Sequence, residues 1–247
     1  MNLDDAAIRA LEERAFNAWP ALRSAYCDGW LFRFSEGLTR RANSVNALAP
    51  AGNFRETLDL AEALYGRQRL PTIFRLSPLA GSEPDGVLHR AGYRYMDETH
   101  VMTAALGEDI RVDPDVEIAT QPSASWSAGF AAANAITPAM RGVHDRMLAS
   151  ILMPAGYATV FDTGKPVAYG LAAIERGMVG LFDIVTVPEA RRRGIGRMLV
   201  KSLLAWGRMQ GASASYLQVL GRNDAARDLY GDLGFAEAYR YHYRMRL

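Results

Sequence analysis

The sequence predicts an α/β (α+β) protein built from two similar halves, and three observations carry that expectation. Apolar residues recur at helical spacing in some runs and alternate in others, so helices and strands interleave along the chain. A strand feeds a loop of arginines and glycines that opens a long helix, from Phe182 through Arg197. The two halves also close alike. Leu88-His89-Arg90-Ala91-Gly92-Tyr93 precedes a strand reaching Met102, and Leu229 through Gly234-Phe235 precedes one reaching Met245. The order strand, loop, helix, strand, short helix, glycine–aromatic, strand occurs in both, which predicts an internal duplication of a β-α-β-α-β unit.

In chain order, Ala6 to Ala18 reads as an amphipathic helix stopped near Pro20. Asp28-Gly29 opens two strand-like runs, Trp30–Ser35 and Leu38–Leu48, with Glu36-Gly37 as the turn between them. Asn53 caps a helix over Phe54–Arg67, and Thr72–Leu76 is a short strand. A short helix over Asp85–Ala91 ends at Gly92, and a long strand runs from Tyr93 to Leu106. Residues 107–114 are polar and read as a linker between a first half, 1–106, and a second, 115–247. The second half is expected to hold a strand at Val116–Ala119 and helices at Ser125–Ala135 and Pro138–Leu152. A hairpin of Tyr157–Asp162 and Pro166–Glu175 follows, then a strand at Met178–Val187. The helix Ile195–Gln210, the strand Ser215–Leu220, the helix Asn223–Leu233 and the strand Ala236–Met245 complete it. The helix from Ile195 crosses between Met178–Val187 and Ser215–Leu220, so those strands should pair in parallel.

Composition narrows the function classes. A chain of 247 residues, 49% hydrophobic and 22% charged, holds the apolar material for a core and is not a disordered segment. Its 28 basic and 27 acidic residues leave a net charge of +1, unlike a nucleic-acid binder that works through basic excess. Cys27 is the sole cysteine, which excludes an intrachain disulfide framework and fits a reducing, cytoplasmic setting. Met1 to Phe16 lacks the pattern of a signal peptide, and no run approaches the ~18 apolar residues of a membrane span. His89, His100, His144 and His242 show no metal-ligand spacing, so no metal is expected.

The chemistry is concentrated in Arg191-Arg192-Arg193-Gly194-Ile195-Gly196-Arg197. The first N–H groups of a helix lack internal partners and sit at its positive end. Glycine lets a ligand approach closely, and arginine adds forked donors, so this junction suits a phosphate or pyrophosphate. No Walker pattern is present. A dinucleotide fingerprint fails as well, because Leu199 stands where a third glycine belongs and Tyr216–Leu220 holds no acid.

The strand Asp183 to Val187 with its arginine–glycine loop, the run Leu217 to Ala226 leading to Leu229-Tyr230, and Leu233-Gly234-Phe235 together resemble the GNAT superfamily of acyl-CoA-dependent N-acyltransferases. The resemblance covers residues ~115 to 247, and the whole chain is similar to tandem members of that superfamily. It implies a GNAT-like mixed, twisted sheet flanked by helices, with a degenerate N-terminal half and an acetyl-CoA-binding second half. It further implies that the backbone of Val185, Thr186 and Val187 pairs with the pantetheine arm, that Arg192, Arg193, Gly194, Ile195, Gly196 and Arg197 hold the pyrophosphate, and that Asn223 contacts the cofactor. Tyr230 would protonate the leaving thiolate. The expected reaction is direct acetyl transfer to a primary amine of a small-molecule or peptide acceptor. Neither nucleic acid nor membrane is expected as a partner, and a homodimer is compatible with the sequence.

One departure stands out. Gln218 occupies the place where many relatives carry a glutamate, and an amide accepts no proton at neutral pH. Asp183 is the nearest ionisable candidate for the base, although strand alternation allows it to face away from the cleft; a water chain and the acceptor's own deprotonated fraction are the alternatives. The departure keeps open a non-catalytic acyl-CoA-binding module, and the tandem architecture keeps open an aminoacyl transferase. The first half lacks the cradle, having Pro50-Ala51-Gly52-Asn53 in its place. Arg33, Arg40, Arg41, Asn43 and Arg75 lie on or beside its strands, where a solvated, salt-bridged face is the preferred reading and an acceptor-facing role the alternative.

Overall fold

The computed structural model describes residues 3–108 and 110–246. The chain folds into helices α1 (Asp5–Ala18), α2 (Phe54–Arg67), α3 (Glu83–Arg90), α4 (Ala124–Ala133), α5 (Pro138–Ala149), α6 (Ile195–Met209) and α7 (Asp224–Asp232). The strands are β1 (Arg23–Cys27), β2 (Trp30–Phe34), β3 (Val45–Ala47), β4 (Thr72–Leu76), β5 (Arg94–Ala105), β6 (Val116–Ala119), β7 (Ala155–Asp162), β8 (Lys165–Glu175), β9 (Met178–Thr186), β10 (Ala214–Leu220) and β11 (Ala236–Arg246). Local chemistry sets many of the ends. Asp4, Asn53, Ser123, Thr137 and Asn223 each cap the helix they precede.

Among the described residues, all strands join one mixed sheet of 11 strands, in the order β1-β2-β3-β4-β11-β5-β10-β9-β8-β7-β6. Both sequence halves contribute strands to it. The order is nearly palindromic about the β11–β5 pair. The parallel pair β3–β4 on one side matches β9–β10 on the other. The last strand of each sequence half has crossed into the other's flank, so β11 lies between β4 and β5, and β5 between β11 and β10.

Two expectations change in the first half. Arg23–Cys27 is an additional strand, and Asp28-Gly29 is the turn of its hairpin with β2. It escapes sequence reading because it is an exposed edge strand without apolar alternation. The run Leu38–Leu48 is broken by a 3-10 turn at Arg40–Ala42, leaving only Val45–Ala47 as β3. Arg33, Asn43 and Arg75 are buried rather than solvated.

Alternation along β8 assigns the layers. Tyr169, Leu171 and Ala173 join the cluster that contains Trp126 and Phe130 of α4, whereas Ala168, Ala172 and Ile174 join the one under α6. Successive strand residues face opposite sides, so α4 and α6 cover opposite faces of the sheet. Leu199, Val200 and Leu203 of α6 are fully buried, each worth about 1.5–3 kcal/mol of apolar burial.

Candidate active site

The sheet is open at one point. β9 and β10 pair in parallel from Ala214↔Met178 to Leu217↔Leu181, and there the ladder stops. Beyond it β10 continues against β5 and β9 against β8. A bulge forces the separation: Asp183 and Ile184 stand opposite Gly170 alone, between the pairs Leu171↔Phe182 and Tyr169↔Val185. Asp183 takes φ +51°, a left-handed conformation that aspartate tolerates better than most residues. Gly170 stands opposite it, where a Cβ would lie 2.8 Å from Ile184 Cδ1 and 2.9 Å from Leu203 Cδ1, side-chain ends that would have to shift.

Register decides which backbone groups meet the opening. Val187 N donates to Val167 O at 2.9 Å, so antiparallel alternation commits Val185 and Val187 to β8 and turns Thr186 toward the gap. Of the three residues expected to pair through their backbone with a pantetheine arm, only Thr186 is turned toward the gap. Its carbonyl already accepts from Arg191 Nε at 3.1 Å.

The arginine–glycine loop follows directly. Gly194 is the N-cap of α6 at φ +80°, and no side chain caps the helix. A Cβ on Gly194 would find nothing within 4 Å, so the glycine serves backbone conformation and ligand access rather than internal packing. Arg193 is tied to Asp162 at 2.9 Å and Arg197 to Asp232 at 2.5 Å. Arg192, at φ +57°, is exposed and forms no ion pair among the described residues. Free amides at Ile195, Gly196 and Arg197, an unfilled approach at Gly194 and an uncommitted guanidinium at Arg192 fit a pyrophosphate group.

The catalytic candidates lie on opposite faces. Tyr230 belongs to the cluster under α6, where Ile184 and Val187 also pack. Burial pushes its phenol up to about 12. Asn223 caps α7 at its exposed start, accepting from Ala226 N at 3.3 Å. Asp183 turns to the other face, where its Oδ2 lies 2.7 Å from His144 Nε2 on α5. His144 is buried among Trp19, Trp126 and Phe130, and its Nδ1 has no partner. Gln218 Oε1 accepts from Tyr241 Oη at 2.9 Å. The Tyr241 ring carries the Arg75 guanidinium 3.5 Å from its centre, and Arg75 forms a forked, buried pair with Glu12.

Sequence reasoning missed His144 and Tyr241. In the sequence His144 stands only as one of four histidines without metal-ligand spacing. Tyr241 had a readable signal, since Tyr239, Tyr241 and Tyr243 alternate along one strand and so share a face.

A mixed sheet opened between parallel strands by a bulge, with an uncapped, arginine-rich helix start below the opening, defines an acyltransferase of the GNAT type. The chain belongs to the family described as Probable histone acetyltransferase Rv0428c C-terminal, which matches residues 5–244. It is 30% identical over 251 residues to the Uncharacterized N-acetyltransferase YobR of Bacillus subtilis (strain 168), covering 99% of this chain and 100% of that one. A shorter match, 35% over 77 residues, joins 31% of the chain to 52% of the [Ribosomal protein bS18]-alanine N-acetyltransferase of Escherichia coli (strain K12). Among solved structures, the fold is similar to a GCN5-related N-acetyltransferase from Kribbella flavida, with TM-score 0.68 and 17% identity over 96% of this chain and 94% of that one. It is also similar to a tandem GNAT protein from the clavulanic acid biosynthesis pathway, with TM-score 0.62 and 12% identity over 82% and 74% of the two chains.

Proposed function

We propose that this protein moves an acetyl group from acetyl-CoA to a primary amine by direct transfer. The observation that carries this reading is the free edge of β9 running straight into the uncapped start of α6. When bound, acetyl-CoA supplies an acetyl thioester. Thr186 offers the strand edge for the pantetheine arm. Arg192, the amides of Gly194 to Arg197 and the flanking Arg193 hold the pyrophosphate, and Asn223 borders the cofactor.

The acceptor amine arrives protonated, with a pKa near ~10.4 for a lysine-like amine, and must lose a proton before it attacks. Asp183, paired with His144, takes up that proton in this reading, because Gln218 cannot. A further backbone N–H at the β9 bulge would be the donor for charge developing on the carbonyl oxygen. A C–N bond forms, the nitrogen gives its second proton to water, and the C–S bond breaks. Tyr230 gives its proton to the departing sulfur and is reprotonated from solvent. Its raised pKa keeps that proton in place until charge develops on the sulfur. A cytoplasmic setting suits the lone, unpaired Cys27.

Calorimetry with acetyl-CoA, followed by thiol release across a panel of amines, tests the proposal. Binding with turnover supports it. Binding without turnover at any pH would favour a non-catalytic acyl-CoA module, the reading that Gln218 keeps open. Absence of binding would remove both.

A further inference from the structure

The proposed acetyl transfer leaves the acceptor unidentified, and the cavity beside Gln218 narrows it. A cavity of about 410 Å³ lies between the loop carrying Arg40 and Arg41, the bulge at Asp97, and the side chains of Gln218, Tyr241 and Tyr243. Arg41 and Gln218 also line a smaller adjoining pocket that reaches Phe182, the residue before the β9 bulge. The larger cavity thus lies against the first sequence half, and the smaller pocket, of about 10 Å³, lies between it and the β9 bulge.

Its charges are unevenly paired. Arg40 is held by Asp97 at 2.5 Å, and Arg222 approaches the same carboxylate at 3.6 Å. Arg75 is neutralised by Glu12. Arg33 has no carboxylate partner among the described residues and spends its donors on the backbone carbonyls of Arg41, Phe16 and Trp19. Burial, helped by Arg75, pushes it down to about 9. Arg41 forms no ion pair or side-chain hydrogen bond among the described residues, and its guanidinium lies 5.8 Å from the Trp19 ring centre. Four arginines, Arg33, Arg40, Arg41 and Arg75, thus line the two pockets against one lining carboxylate, Asp97, with Glu12 paired behind Arg75.

The loop that presents Arg41 is rigidly built. Buried Asn43 accepts from Ser35 N at 2.7 Å and Gly37 N at 3.0 Å, and donates to Thr39 O at 2.7 Å. Thr39 caps the 3-10 turn through Ala42 N at 3.3 Å. A held but unpaired guanidinium at a cavity wall is preorganised for a planar oxyanion. The same excess of positive charge opposes polyamines and basic peptides, which bring further cations to the site.

We infer that the acceptor is an amine that also carries a compact oxyanion, received by Arg41 while the amine faces Gln218 and the β9 bulge. This rests on the acetyl-transfer reading, and the test separates the two. Wild type, Arg41→Gln and Arg41→Lys are assayed with matched amines: phenylalanine against phenethylamine, lysine against cadaverine, phosphoethanolamine against ethanolamine, and a lysine-rich peptide. The wild type is expected to favour an anion-bearing member by roughly 10- to 100-fold in kcat/KM, the value of a charge-assisted hydrogen bond. Arg41→Gln should reduce that ratio to near one, and Arg41→Lys should restore part of it, with acetyl-CoA affinity unchanged in both. The carboxylate and phosphate arms identify which oxyanion is bound. N-acetylphenylalanine or N-acetylphosphoethanolamine, whichever matches, should raise the melting temperature of wild type but not of Arg41→Gln. Equal or better use of the uncharged or cationic members, a ratio that survives Arg41→Gln, or no turnover of any anion-bearing amine by protein that binds acetyl-CoA would overturn the inference. Loss of acetyl-CoA binding in wild type would instead overturn the reading beneath it.

Discussion

Replacing Glu12 with alanine should be among the most destabilising single changes in this protein. Glu12 and Arg75 are fully buried, and the Glu12 carboxylate also accepts from Tyr239 Oη at 2.5 Å. Burial alone would depress Arg75, but the neighbouring carboxylate overrules it and holds the guanidinium well above its ordinary value. Without Glu12, Arg75 is left between the Phe16 and Tyr241 rings, and its Nε already lacks a partner. An orphaned buried charge costs about 3–5 kcal/mol, and the stranded Tyr239 hydroxyl about 1 more. Against a total stability of about 5–15 kcal/mol, the melting temperature should fall by roughly 8–20 °C. Urea unfolding of Glu12→Ala, Arg75→Met and the double variant Glu12→Leu/Arg75→Met measures this directly. The double variant should recover most of the loss, since an apolar pair removes both charges together. A cost below about 1 kcal/mol for Glu12→Ala, or a double variant as unstable as the singles combined, would refute the reasoning.

Four further outcomes follow from the same geometry. Tyr230→Phe should lower turnover by roughly 10²- to 10⁴-fold while leaving acetyl-CoA affinity within a few-fold, read by calorimetry beside rate assays. In wild type, the contribution of that phenol should persist through the neutral range and fade only as pH rises toward about 12. Gly194→Ala should cost about 1–2 kcal/mol because of the left-handed backbone, and should weaken acetyl-CoA binding further by placing a methyl where no protein atom stands; equal affinities would argue against a cradle there. Asp183→Asn keeps a hydrogen bond to His144 but removes the base, so kcat/KM should drop by roughly 10²-fold or more with little change in melting temperature. Asp85 is held down to about 2, chiefly by the Arg244 hydrogen bonds. Its stabilisation is therefore present above about pH 4 and lost as pH falls toward 2. Asp85→Asn should flatten the acid limb of a melting-temperature profile in that window.

What the sequence reveals depends on how local the cause is. The helix from Ile195 and its glycine start are legible because both the apolar period and the cap lie within one short run. The break between β9 and β10 is only half legible. Parallel pairing follows from the crossover helix, but the bulge at Asp183 shows itself only against Gly170, in the preceding strand of the hairpin. The His144–Asp183 contact and the Gln218–Tyr241 hydrogen bond join residues on different elements, and no spacing rule encodes them. The sequence alone places the arginines of the first half in solvent, because charge usually stays in water. Their partners are Glu12, from the opening helix, and backbone carbonyls of Phe16, Trp19 and Arg41.

The crossing of β5 and β11 also governs how the chain is made. While synthesis proceeds, β4 and β5 have no neighbour on their facing edges until residues 236–246 arrive between them. Strand edges waiting that long are exposed to mispairing. The nascent first segment therefore cannot complete its fold early, and deleting residues 236–246 would leave a slot through the middle of the sheet.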